Sequence, residues 1–251
     1  MRIIGRYFVL SIKKNFNYPV NGIMVIFDTL MDCFSIFLFW LSLMEMDVQI
    51  GNWDKTDIGT FIGFNLISMG ILVLFSGAYD IQEHILDGSL DTYLIKPCSS
   101  LLLIVLERAN FLRFLVSFPL GIVLVGIYDA KNIGTLITAM LVCVMISLVL
   151  GMIRMMLYLL AFWLRKMDSF VRIYETILSV KEYPLQVLGR KVFWFFTYII
   201  PAAFTATIPT EFCKSGVNVR RLLWAVMASV ITFVVTKYIW LRGRKTYEST
   251  N

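Results

Sequence analysis

YDIQEHILDGSLDTYLIKP, residues 79–97, is a charged, mostly polar break in a sequence that is otherwise almost continuously apolar. It carries Asp80, Glu83, Asp87 and Asp91, together with His84, the single histidine of the chain. Charges at this density belong in water, so the apolar runs on either side are separate elements. Ile81, Ile85 and Leu86 fall at helical spacing, Gly88 is a helix stop, and Pro97 limits how the next helix begins. The pattern predicts a short amphipathic helix over 80–91 between two membrane spans. It is either a docking lever for a soluble partner or a solvated connection.

The 251 residues are 59% hydrophobic and only 16% charged, against about 25% charged in a typical soluble domain. The class is therefore integral membrane protein. Several separate apolar runs near the roughly 20-residue spanning length favour helices over a barrel. A formal charge of +6 does not call for nucleic acid, because spanning proteins place Lys and Arg in loops facing anionic lipid. Here the basic residues are spread over many loop edges, so nucleic acid is not an expected partner. Cys33, Cys98, Cys143 and Cys213 lie far apart. Without CxxC or Cys/His spacing they read as unpaired thiols, and no metal site is expected.

ILDGSLDTYLIKP, with KEYPLQVL and FTYIIPAAFTATIP further on, resembles the six-span permease subunits of ABC exporters in the ABC-2 group, over nearly the whole chain. The resemblance implies an all-α polytopic membrane protein, in which the segment after the second span is a cytoplasmic coupling helix seated on a separate ATPase. Carried onto this sequence, the coupling residues would be Asp80, Glu83, His84, Asp87, Gly88 and Asp91. It also implies a second copy or a related permease as partner, ATP and Mg2+ bound by the ATPase rather than by this chain, and a plasma (inner) membrane location.

Along the chain, residues 1–18 place Ile4, Phe8 and Ile12 on one helical face and Arg2, Arg6 and Lys13 opposite. That is the pattern of an interfacial helix lying on lipid. A first span over 22–44 contains Asp28 and Asp32, four residues apart and so on one face. Each carboxylate costs roughly 2.5–3.5 kcal/mol at the bilayer centre, so the pair should face the bundle or a wet cavity. The second span, 58–79, has a small-residue stripe of Gly59, Gly63, Gly70 and Gly77 for close helix contact, within the subunit or across a dimer. A third span covers 111–128, with Arg113 close enough to the edge to snorkel. The fourth covers 134–163 and contains Arg154, whose depth matches that of Asp32. Arg154 is therefore expected to pair with Asp28 or Asp32.

Residues 165–210 admit two readings. Hydropathy alone gives a fifth span over 192–208. The resemblance instead gives a span over 168–183 and a re-entrant hairpin over 184–209 broken at Pro184, Pro201 and Pro209, as membrane-depth breaks are tolerated where protein covers them. Lys and Arg stay in excess on the inner side in either case, although moving Lys181, Arg190 and Lys191 outside weakens the bias. A sixth span covers 222–241, and the even number puts both termini on one side, the cytoplasm.

No GxxxxGK[ST] phosphate loop, HExxH or GxSxG is present, so the chain is not expected to be an enzyme or to hydrolyse ATP. An ion-coupled transporter using Asp28 and Asp32 would predict an internal repeat, and none is visible. A membrane scaffold without transport is the third class.

Overall fold

A helix that is apolar on every side is stable only where it is covered on every side, and residues 57–71 meet that condition almost without interruption. The computed structural model, which describes residues 19–45, 52–96, 99–128 and 132–247 together with 9 and 13, builds the rest around that helix. In chain order the helices are α1 (Pro19–Glu45), α2 (Lys55–Val73), α3 (Ala78–Leu86), α4 (Asp91–Leu94), α5 (Ser100–Glu107), α6 (Phe111–Tyr128) and α7 (Ile133–Leu159). They continue with α8 (Ala161–Leu164), α9 (Asp168–Leu178), α10 (Arg190–Tyr198), α11 (Thr207–Ser215) and α12 (Val219–Thr246). Among the described residues there is no strand. Apart from positions 9 and 13, the interfacial helix expected over 1–18 lies outside the described residues.

Five stretches are long and apolar enough to cross a membrane: Val20–Leu43, Lys55–Leu86, Phe111–Tyr128, Ile133–Leu164 and Val219–Thr246. The chain is a polytopic all-α membrane protein. Where the fifth of six spans was expected, neither 168–183 nor 192–208 forms one continuous spanning helix. α9 passes into a 3-10 turn at Ser179–Glu182. α10 stops at Tyr198, a 3-10 turn covers Ala202–Phe204, and α11 starts at Thr207. Pro184 follows the first turn, Pro201 precedes the second, and Pro209 sits in the first turn of α11, where a missing N–H is tolerated.

The glycine stripe explains how α2 is covered. A Cβ on Gly59 would lie 2.5 Å from the Tyr128 ring, one on Gly63 2.6 Å from Val125, and one on Gly70 2.9 Å from the Ser117 hydroxyl. All three neighbours belong to α6, which runs antiparallel to α2 in near-backbone contact. Gly77 instead lies against the Ile104 and Val105 carbonyls of α5. The stripe therefore packs within the chain. α1, α7 and α11 cover the remaining sides of α2, and α12 packs on α7.

The core divides at the level of Leu72 and Phe75. The larger cluster joins Phe61, Phe64 and Ile67 of α2 to Cys143 and Ile146 of α7 and to Phe204 and Phe212 of the 198–215 region. The smaller joins Ala78 and Ile81 of α3 to Leu103 and Ile104 of α5, Tyr158 and Leu159 of α7, Val171 of α9 and Trp240 of α12. These two ends of the bundle are called the hairpin end and the α3 end below.

Candidate coupling surface and charge sites

α3 is amphipathic, and its two faces do different work. Ala78 and Ile81 are fully buried, and Asp80 and Gln82 are buried beside them. Burying a charge is costly unless it is paired, and Asp80 meets this by accepting from Arg108 Nε at 3.0 Å. Gln82 donates through Nε2 to both oxygens of Asp168, at 3.1 and 3.2 Å, and accepts the Met167 N–H through Oε1. It thereby satisfies a backbone donor left open at the start of α9. The opposite face presents Tyr79, Glu83, Leu86 and Asp87, at helical spacing and exposed.

The expected helix over 80–91 is divided by Gly88, at φ +79°, a conformation glycine adopts without penalty. Asp87 Oδ1 accepts from the Ser89 N–H at 2.9 Å and from its hydroxyl at 2.7 Å. Partial burial pushes the Asp87 carboxyl up, but these two donors outweigh it and hold the group below its ordinary value. Because the Ser89 proton is given to Asp87, the 2.6 Å contact between Ser89 Oγ and His84 Nδ1 places a proton on Nδ1. His84 also lies on Tyr93, ring centroids 4.7 Å apart, and Tyr93 donates to Glu107 at 2.6 Å. From the far end of the chain, Tyr247 donates to the Gly88 carbonyl at 2.7 Å.

The six sequence-chosen coupling residues thus separate. Glu83 and Asp87 are exposed, Asp91 is half-buried in the first turn of α4, and Gly88 makes the bend. Asp80 and His84 do not join the exposed face, because the first is the buried partner of Arg108 and the second organises the turn. Sequence reading missed Gln82 and Arg108. A polar Gln at i+1 from Ile81, on the buried side of an amphipathic pattern, was the available signal for Gln82.

The intramembrane charges also require a correction. Asp28 and Asp32 do share a face, but both pair with Arg113 Nη2, the second at 3.1 Å. Arg154 does not reach them and instead pairs with Glu175 of α9 at 3.0 Å. The physical reason is lateral placement: α1 packs on α6 and α2, while α9 packs on α7. Matching depth alone could not choose between Arg113 and Arg154. The Arg154–Glu175 pair borders a cavity of about 190 Å3 that Tyr174, Lys181 and Glu182 also line. Lys181 is itself buried.

At the hairpin end, Asp54 caps α2 in a reciprocal capping box with Asp57. The Thr56 hydroxyl, with the Asp57 N–H, holds the Asp54 carboxyl below its ordinary value. Asp57 also pairs with Lys214 of α11, whose Nζ donates to the Asn52 carbonyl as well. Glu211 takes Arg221 and Gln186 on its two oxygens, and Trp224 Nε1 donates to the Thr197 carbonyl at 3.1 Å. These bonds fasten the broken segment to α2 and α12.

A family model described as ABC-2 family transporter protein matches residues 30–251. The chain belongs to this family. It is accordingly a permease of an ABC transporter, a membrane component of a kind that works with an ABC ATPase. Curated proteins and solved structures searched with the chain yield no match. Metal-ligating groups of three or more His, Cys, Asp or Glu do not occur among the described residues.

Proposed function

We propose that this permease exports its substrate by alternating access, and that the exposed face of α3, Tyr79, Glu83, Leu86 and Asp87 with Asp91 beside it, is where the ATPase docks. ATP and Mg2+ would be held by that subunit, and the permease would act as a pair with a second copy or a related chain in the plasma membrane. The α3 end, with both chain termini, would be cytoplasmic. The re-entrant reading of 184–209 follows from the same orientation: α9 climbs part of the bilayer, and α10 and α11 return on the outer side under cover of α2 and α12.

The observation that carries this reading is the division of labour on α3. One face is tied by Asp80 to Arg108 and by Gln82 to Asp168, while the other presents two carboxylates, a tyrosine and a leucine to water. A helix so fixed can be pushed by a partner without melting, and its acidic-apolar face suits insertion into a groove. Nucleotide-driven approach of two ATPases would then bias a two-state packing of the permease pair.

Co-purification from native membranes in mild detergent tests the docking face. The triple change Glu83→Ala, Asp87→Ala and Asp91→Ala should lose an ABC ATPase, identified by its phosphate-loop peptide, at unchanged permease yield. Asp80→Ala should lower the yield and leave the ATPase bound per folded permease. An ATPase retained by the triple variant, or absent from wild type, would remove the docking face from the mechanism.

A further inference from the structure

At the α3 end a groove of about 310 Å3 runs between α7, α12 and the start of α5. Its floor is apolar, with Met152 and Met155 from α7 and Phe233 and Trp240 from α12. Lys237 and Arg244 also line it, seven residues apart and so on one face of α12. Four other cations are matched by carboxylates: Arg113 by Asp28 and Asp32, Arg154 by Glu175, Lys214 by Asp57, Arg221 by Glu211. Lys237 and Arg244 have no carboxylate within ion-pairing distance among the described residues. The guanidinium of Arg244 lies 5.5 Å from the Trp240 ring.

We infer that this groove holds an anionic phospholipid of the leaflet at the α3 end, one acyl chain on the methionine floor and the phosphate between Lys237 and Arg244. Both halves of the site are needed to explain its composition. A small soluble anion would leave the apolar floor uncovered, and a neutral lipid would leave two cations unmatched. Phe233 and Leu241, which line the groove, are exposed apolar residues of a helix long and apolar enough to cross a membrane. Depth agrees as well. Trp240 sits one turn from Lys237 and one from Arg244, so the two cations flank the apolar floor where it ends, and a lysine near the edge of a span extends its charge to the headgroup level. The inference does not depend on which side of the membrane the α3 end faces or on the docking face of α3.

The test is lipid retention by the full-length permease purified in mild detergent after equilibration with equimolar phosphatidylglycerol and phosphatidylcholine. Each cation near an anionic surface contributes about fivefold, so with two cations retained phosphatidylglycerol should exceed phosphatidylcholine by about 25-fold. Lys237→Gln with Arg244→Gln should bring the ratio near parity. Arg242→Gln, whose side chain lies over Tyr238 instead, should not. A phosphatidylglycerol with a photoreactive acyl chain should crosslink to the peptides holding Met152, Met155 or Phe233. Equal retention of the two lipids by wild type, loss on Arg242→Gln equal to that of the double variant, crosslinks confined to other helices, or displacement of the lipid by excess inorganic phosphate would each overturn the inference. Both exchanged side chains are exposed, so the variants keep their core, and the wild-type ratio alone can refute the site.

Discussion

Gly63→Ala adds one methyl group where α2 and α6 touch. The new Cβ would lie 2.6 Å from Val125 Cγ2, 2.9 Å from the Val125 backbone nitrogen and 3.0 Å from the Gly121 carbonyl oxygen. Ordinary contact at such pairs begins near 3.4 Å. The valine methyl could turn aside, but the two backbone atoms cannot, so the helices must part by several tenths of an ångström along a contact that continues to Gly59 and Gly70. Overpacking of this kind costs about 1–3 kcal/mol, less whatever alanine gains over glycine in a helix, up to about 1 kcal/mol. The chain supplies its own control in Gly126 of α6, next to Val125, where an added Cβ meets nothing within 4 Å. Gly126→Ala should be neutral or stabilising by up to about 1 kcal/mol. Thermal melting in detergent, read as loss of the monodisperse peak on size-exclusion chromatography, should therefore move in opposite directions for the two alanines. At about 2–4 °C per kcal/mol for a chain of this size, Gly63→Ala should fall by several degrees. An unchanged or raised midpoint for Gly63→Ala, or a fall as large for Gly126→Ala, would refute the packing of the stripe against α6.

Arg113→Met leaves Asp28 and Asp32 without their counter-charge at a cost of up to about 3 kcal/mol for each carboxylate at depth; membrane yield should fall, and Asp28→Asn with Asp32→Asn should restore it. Arg154→Met should not be rescued by those changes, and rescue of it would return Arg154 to the aspartates. Val187 is exposed before α10; Val187→Cys should react with a membrane-impermeant maleimide from outside intact cells, while Lys166→Cys should react only after permeabilisation. Labelling of both from the same side would contradict the re-entrant course of 184–209.

What the sequence made legible was whatever acts along a single helix. The polar break after Tyr79, the stop at Gly88 and the glycine stripe are all local patterns, and each marks a feature of the structure. What it withheld was which helix stands beside which. Asp28 and Asp32 were recognisable as needing a cation, yet Arg113 and Arg154 both lay in apolar helices at usable depths. Only the packing of α1 on α6 decides between them. Residues 192–208 read as one apolar run but form separate short helices, since apolar residues that cover α2 and α7 have the same composition as residues that cover lipid. The three prolines fall at or beside the breaks between the short helices. Within the coupling segment, sequence could not tell Asp80 from Glu83, because burial of a carboxylate depends on Arg108, 28 positions away in the chain.

Tyr247 and Gly88 are 159 positions apart in sequence and share a hydrogen bond. With Gln82 on Asp168 and Asp80 on Arg108, the segment 78–91 is bolted at three points, to α12, to the start of α9 and to the turn before α6. A part fixed at one point swivels, and a part fixed at three carries its mounts with it. A push on the segment would therefore reach α12, the start of α9 and the turn before α6 together, and Tyr247, far from it on paper, sits on the same bracket. A fluorophore on the exposed Thr246, next to that bracket, would report any displacement of the segment without occupying the exposed face of α3.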